Sequence, residues 1–209
     1  MNEQESVFIL KNKLKFDDLS IQKIKKFIFY LLKFNERYNL ISKNSEKDIW
    51  SRHILDSAQL ASFLNNNKSL VISDFGSGAG FPGIILALYD YRLKFHVKLF
   101  EKSPIKRKFL NLVKDEIGLK NVEIRDNVYE KILSTDIIVC RAFKKLNEII
   151  KISREIVKKP HKLIILKGKN AQTEINNVSL DKNYSYKLKN SITDNNSKII
   201  LIDVKKNGS

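Results

Sequence analysis

Ten consecutive residues constrain this chain more than any others: Asp74-Phe75-Gly76-Ser77-Gly78-Ala79-Gly80-Phe81-Pro82-Gly83. The apolar run Leu70-Val71-Ile72 leads into them, and Ile84-Ile85-Leu86-Ala87-Leu88 follows. That order reads as strand, glycine-rich turn, helix. Glycine permits positive φ and lets a ligand approach backbone where a Cβ would collide. A helix opening directly after such a turn offers N–H groups that lack intrahelical partners. Pro82 suits its first turn, where a missing N–H costs nothing. The plainer reading of the same residues is a tight turn that holds no ligand.

The neighbouring sequence repeats this rhythm. Phe95–Phe100 is predicted as a second strand, Lys106–Glu116 as a helix ended by Gly118, and 122–124 as a third strand. Asp136–Cys140 reads as the fourth strand, Leu146–Val157 as a helix, and Lys162–Leu166 and Lys198–Val204 as the last strands. Ahead of the loop, Leu19, Ile21, Ile24, Phe27, Ile28, Leu31 and Leu32 recur at helical spacing within 17–38. A second helix is expected over 45–64, with Ser45 as N-cap and Asp48 in the capping-box position, and the tract Asn65-Asn66-Asn67 breaks it. Strands alternating with helices predict an α/β fold: a mostly parallel, Rossmann-like sheet with helices on both faces. Residues 1–66 read as an N-terminal helical extension packed on a core of 67–209, one structural domain overall. Segment 170–197, rich in Asn, Ser and Lys, gives no clear pattern.

Composition narrows the partners. Lys and Arg number 39 against 23 Asp and Glu, a formal net charge of +16. Such an excess favours a polyanion, because neutralising phosphates releases condensed counterions. A general lysine bias of the surface would give the same number. The single cysteine, Cys140, excludes an internal disulfide and a zinc cluster of cysteines, and no metal site is expected. No apolar stretch approaches the roughly 20 residues that cross a bilayer. Residues 1–15 carry Glu3, Glu5 and only a short apolar patch at 7–10, without the core of a signal peptide. A cytosolic protein is expected, and nothing demands more than a monomer.

Two ligand classes use such a loop. Gly78-Ala79-Gly80-Phe81-Pro82-Gly83 fits the dinucleotide fingerprint G-x-G-x-x-G. The register Gly76-x-Gly78-x-Gly80, with Asp74 two residues upstream, instead resembles the first motif of S-adenosylmethionine methyltransferases. A sulfonium cofactor carries an ammonium and a positive sulfur, so acidic groups favour it and disfavour a pyrophosphate. Glu101 ends the next predicted strand, where a carboxylate accepts hydrogen bonds from ribose hydroxyls. Both ligand classes want that acid, so it points to a nucleoside without choosing between them.

If the reaction is methyl transfer, elimination narrows the acceptor. Adenine amines typically call for a Pro-Pro motif after the fourth strand, and the only prolines are Pro82, Pro104 and Pro160. Carbon 5 of a pyrimidine typically calls for a cysteine nucleophile. Cys140, at the end of an apolar strand, reads instead as a small core residue. The fourth strand ends in Cys140-Arg141-Ala142-Phe143, and arginine is no base at neutral pH. An acceptor needing no base is therefore attractive, and the unprotonated N7 of guanine is one.

Five segments sharpen the reading: Tyr38-Asn39-Leu40, Arg52-His53-Ile54-Leu55-Asp56-Ser57, the loop with its Phe-Pro-Gly ending, Arg141-Ala142-Phe143 and Leu166-Lys167-Gly168. In combination they resemble the bacterial RsmG (GidB) family, which methylates guanine N7 in small-subunit ribosomal RNA. The resemblance covers about residues 33–201. It implies S-adenosylmethionine as cofactor, held by the backbone at Gly76 and Phe81 and by Glu101, with Val128 and Tyr129 bordering the adenine. It puts Arg141 at the pocket edge near the acceptor, and Asn39, His53 and Lys167 on the RNA side. Asp56, on the helical segment with Arg52 and His53, could orient either one. Lys167 could reach a phosphate. The plainer readings are a surface salt bridge with a packed histidine, and one more surface lysine. Many relatives carry arginine where Asn127 stands and again before the final strand, where Ser197-Lys198 stands, so Arg125 or Lys198 would have to substitute. Two other functions stay open at this point: a nicotinamide- or flavin-dependent oxidoreductase using the same loop, and a basic RNA-binding module without activity.

Overall fold

The computed structural model describes residues 1–64, 68–89, 94–129 and 132–205, so the Asn65–Asn67 break lies outside the described residues. Seven strands form one sheet in the order β3-β2-β1-β4-β5-β7-β6. Strands β1 (Leu70–Phe75), β2 (Phe95–Phe100), β3 (Val122–Arg125), β4 (Ile137–Arg141) and β5 (His161–Lys167) run parallel. β7 (Lys198–Val204) is antiparallel between β5 and the edge strand β6 (Tyr184–Asn190). The order reverses between β1 and β4, and the crevice outside the strand ends at such a switch point is where open α/β sheets bind ligands.

Both faces of the sheet are covered, which is why its central strands read as continuous apolar runs. Val139, Ile164 and Leu166 join one buried cluster, and Ile138, Cys140, Leu163 and Ile165 join the other. Alternation along each strand divides them. The first cluster is closed by helices α1 (Glu3–Asn12), α2 (Asp18–Tyr38), α5 (Gly83–Tyr89) and α6 (Pro104–Ile117). The second is closed by α7 (Leu146–Ile156) and α8 (Ala171–Asn176).

Helix α2 starts where Asp17 accepts from the Ser20 N–H at 2.7 Å. It buries Ile21, Ile24, Phe27, Ile28 and Leu31 against the core. Each such residue contributes about 1.5–3 kcal/mol by leaving water. Its apolar face is narrower than expected: Leu19 and Leu32 face solvent. Helix α6 begins at the Ser103 cap with Pro104 in its first turn, two residues before the predicted start, and ends at Gly118 in the left-handed region as predicted.

Three departures from the sequence reading matter. Helix α1 is unanticipated, although Asn2 and Glu5 form a reciprocal capping box at its start. The helix expected from Ser45 instead starts from the Ser42 cap as α3 (Lys43–Lys47). It gives way to a π-helical turn (Trp50–Leu55), a single α turn α4 (Asp56–Ala58) and a 3₁₀ turn (Gln59–Phe63). Segment 170–197, read as patternless, contains α8 and β6. β6 is mostly solvated and carries Lys187 and Lys189, so it lacks the apolar alternation that would mark it and is blunted against edge pairing.

Candidate active site

The glycine loop leaves β1 and folds back onto its own helix. Gly76, Gly78 and Gly80 all have positive φ. Asp74 is fully buried, and its Oδ2 accepts the N–H of Gly83 at 2.9 Å, tying the start of α5 to β1. Any Cβ at Gly83 would lie 2.3 Å from Leu99 and 2.7 Å from that oxygen. Burial pushes the Asp74 carboxyl up to about 7, and its Oδ1 has no partner among the described residues. Asp74 is therefore a buried strut, and not a group presented at the surface of the loop. Pro82 lies just before α5 rather than within it.

The loop's donors are largely taken. Gly76 and Ser77 donate to the Phe100 carbonyl at 2.9 and 3.0 Å, and Gly80 and Phe81 donate to the Ser77 carbonyl at 2.8 and 3.0 Å. Gly78 donates to Oε2 of Glu101 at 2.8 Å, and Ser103 donates to Oε1 at 2.8 Å. The free helix N–H groups expected from the sequence are thus used inside the protein. The Cα faces differ as well. A Cβ on Gly78 would meet only the Gly76 carbonyl oxygen at 3.9 Å, whereas Phe143 covers Gly76 at 2.5 Å. Bare backbone at Gly78 beside a buried carboxylate makes a cradle for a ligand that is cationic and rich in donors. A pyrophosphate would find few donors and a repelling acid. Beyond Glu101, Val128 is buried, and the exposed Tyr129 ring lies 5.5 Å from the Lys102 ammonium.

At the end of β4 a second group of residues converges. The Arg141 guanidinium donates to the Arg52 carbonyl at 2.9 Å and to Nδ1 of His53 at 2.7 Å. It also lies 5.0 Å from the Phe81 ring centre, on which the His53 ring stacks at 4.8 Å. Asp56 stands 3.7 Å from the guanidinium through Oδ2. Its Oδ1 accepts from Gln59 Nε2 at 2.9 Å and Thr193 Oγ1 at 3.0 Å. Asp56 thus pairs with Arg141, and not with Arg52 or His53 as the helical spacing suggested. Burial raises its carboxyl while Arg141, Thr193 and Ser191 pull it back. Burial, then Arg141, then Arg52 lower His53 to about 3. The imidazole is therefore neutral, its Nδ1 lone pair is engaged, and its buried Nε2 is left as an unpartnered donor.

The remaining expected residues take different places. The Lys167 ammonium is held at 2.8 Å by both the Lys144 carbonyl and Glu174, so it is anchored rather than reaching outward. Asn39 caps α2 in the left-handed region with an exposed side chain, and no described contact joins it to Arg141 or His53. Cys140 is fully buried and its thiol is pushed up, which removes it as a nucleophile. Lys198 donates to Asn190 Oδ1 at 2.6 Å, and Arg125 pairs with Glu123. Neither is a free stand-in for the absent arginines. Sequence reasoning missed Gln59, Ser191, Thr193 and Phe143. Only Phe143, inside the Arg-Ala-Phe segment, carried a signal.

The family profile of rRNA small subunit methyltransferase G, GidB, matches residues 20–201. The chain belongs to the GidB family. This GidB chain is 35% identical over 185 residues to Ribosomal RNA small subunit methyltransferase G of Orientia tsutsugamushi (strain Ikeda), covering 88% of this chain and 91% of that protein. It is 37% identical to the protein of the same name from Rickettsia prowazekii (strain Madrid E), covering 88% and 93%. Among solved structures, a SAM-dependent methyltransferase from Aquifex aeolicus superposes with a TM-score of 0.57 at 15% identity, over 72% of this chain and 89% of that one. At that identity the likeness shows the fold alone. GidB membership and this fold do not favour an oxidoreductase or an inactive RNA-binding module.

Proposed function

We propose that this protein transfers the methyl group of S-adenosylmethionine to N7 of a guanine in small-subunit ribosomal RNA. One observation carries the cofactor half: a glycine loop whose donors are already used lies against the Glu101 carboxylate. A sulfonium nucleoside asks for acceptors, and a dinucleotide phosphate asks for donors. Glu101 would take the ribose hydroxyls, Val128 and Tyr129 would border the adenine, and the backbone at Gly76 and Phe81 would line the remainder. Bound there, the cofactor supplies an electrophilic methyl group.

The acceptor half rests on the missing base. His53 cannot take a proton near neutrality, because Arg141 already holds its lone pair and the ring's basicity is lowered to about 3. Arginine cannot either. N7 of guanine needs no deprotonation, so catalysis reduces to alignment and exclusion of water. Arg141 fixes the ring of His53, whose Nε2–H stays buried without a partner among the described residues. Asn39 and Lys167 serve the RNA side, Lys167 through its anchored position. The net charge of +16 supplies attraction to the RNA backbone. A ribosomal substrate implies work in the cytoplasm, with segment 1–66 as a helical extension on the core.

Small-subunit RNA from a strain lacking this protein, incubated with methyl-labelled S-adenosylmethionine and the purified enzyme, tests the reading. Label mapped to a 7-methylguanosine is expected. Label on another base, or none on RNA, overturns it.

A further inference from the structure

A cavity of about 240 Å³ opens at the ends of β4 and β5, on the opposite side of the switch point from Glu101. Its walls are Arg141 and Ala142, residues 166–168, Asp56 and Ser197. Ligand pockets for drug-sized molecules run to roughly 300–1,000 Å³. This one has the size for a single heterocycle, not for a whole nucleoside cofactor.

The chemistry of the cavity is set by what its charged groups already do. The Lys167 ammonium is held by Glu174 and the Lys144 carbonyl, and the Arg141 guanidinium by His53 and the Arg52 carbonyl. Asp56 is the only carboxylate among the described lining residues. Its Oδ1 is fixed by Gln59 and Thr193, which come from the 3₁₀ turn and from the turn between β6 and β7. Ile192 donates its N–H to Gln59 Oε1 at 2.9 Å, locking that clamp from the other end. Among the described residues Oδ2 takes no hydrogen bond at ordinary length, and its closest partner is the Arg141 guanidinium, an ion pair at 3.7 Å. An ionised carboxylate accepts only. The cavity therefore holds one oriented acceptor, and a ligand has to bring the donors.

Among the four RNA bases, guanine alone sets two donors side by side, N1–H and the exocyclic amine. Adenine and cytosine place a ring nitrogen acceptor at that edge, which a carboxylate repels. Uracil has a single N–H between two carbonyls. We propose that Asp56 is the residue that selects guanine, its Oδ2 accepting from the N1–H and amine edge of a base seated in this cavity. N7 lies on the opposite edge of the purine, so this hold leaves it free for chemistry. Enzymes that act on a base read its Watson–Crick edge in this manner after unstacking it. The inference rests on the guanine-N7 reading above.

The test replaces the target guanosine by inosine, which keeps N7 and O6 and lacks the exocyclic amine. Wild-type enzyme should then lose about 10-fold or more in kcat/KM, the value of a hydrogen bond to a charged group. Asp56→Asn should lose about 10- to 100-fold on guanosine RNA. Its preference for guanosine over inosine should shrink to about twofold, while affinity for S-adenosylhomocysteine stays within about twofold. A wild-type enzyme that methylates both RNAs equally overturns the inference, and so does an Asp56→Asn enzyme that keeps the full preference. If Asp56→Asn does not fold, the wild-type comparison still decides. Wild-type enzyme that puts no methyl on guanine N7 overturns the underlying reading instead.

Discussion

The two halves of the proposed site are built by opposite means. On the cofactor side, ten contiguous residues bend through three positive-φ glycines, and backbone amides do most of the work. On the acceptor side, side chains from residues 52–59, 141 and 191–193 meet across the fold, and their charges and rings hold one another. The first half depends on what is absent, namely side chains at glycine. The second depends on a mutual arrangement in which every member has a partner. Damage should therefore spread differently in the two halves: local and affinity-directed in one, shared and rate-directed in the other.

The largest effect should come from Arg141→Ala. It strips partners from His53, the Arg52 carbonyl and Asp56 at once. We expect kcat/KM for RNA to fall about 100-fold or more, with stability lower by about 3 kcal/mol because Asp56 is left as an uncompensated, mostly buried charge. Single-turnover methylation and urea unfolding read the two quantities. An unchanged rate would remove Arg141 from the acceptor side and dissolve the contrast.

Gly78→Asp should come next and should act on the other half. Asp tolerates the left-handed region better than most residues, so the loop can keep its shape. The new carboxylate would fill the one open Cα face among the loop glycines and stand beside Glu101. Affinity for S-adenosylhomocysteine, measured by calorimetry, should fall about 100-fold, in line with the loss of a close polar fit. Affinity for RNA should hold. Equal loss of both would show that the halves are not separable.

The smallest effect concerns pH, and here the two halves oppose each other. Asp74, raised to about 7, takes up a proton more readily when folded, so it contributes stability below its unfolded pKa near 3.8 that is lost as pH rises towards 7. His53, lowered to about 3, releases its proton on folding, so its contribution grows as pH rises from about 3 to 6.5. Between about pH 4 and 6.5 the two slopes, each at most about 1.4 kcal/mol per pH unit, largely cancel. Asp74→Asn should unmask a stability that climbs with pH over that window, and His53→Gln one that declines. Denaturant midpoints across the window check both signs. Identical pH profiles for the two variants would contradict the burial of these groups.

Much of this molecule was legible before any coordinates. The order of strands and helices from β1 through β5, the final strand β7, the cap at Gly118 and the glycine turn follow from local pattern. Periodicity, turn chemistry and composition are properties of neighbouring residues, so one-dimensional reasoning reaches them. It failed where pairing is remote. The edge strand β6 has no apolar alternation, because it faces solvent and is specified by its partner β7. The helix expected over 45–64 breaks into short π, α and 3₁₀ turns, and that broken path carries the Arg52 carbonyl and His53 to Arg141.

The chain alone thus determined the α/β class and the glycine turn between β1 and α5. Only the tertiary structure decided which groups are free. It assigned Asp74 to a buried strut, anchored Lys167, emptied His53 of basicity and left Asp56 with one open oxygen. The physical reason is that an ionisable side chain takes its role from burial and from the partners around it. Those are fixed by residues up to 137 positions away along the chain.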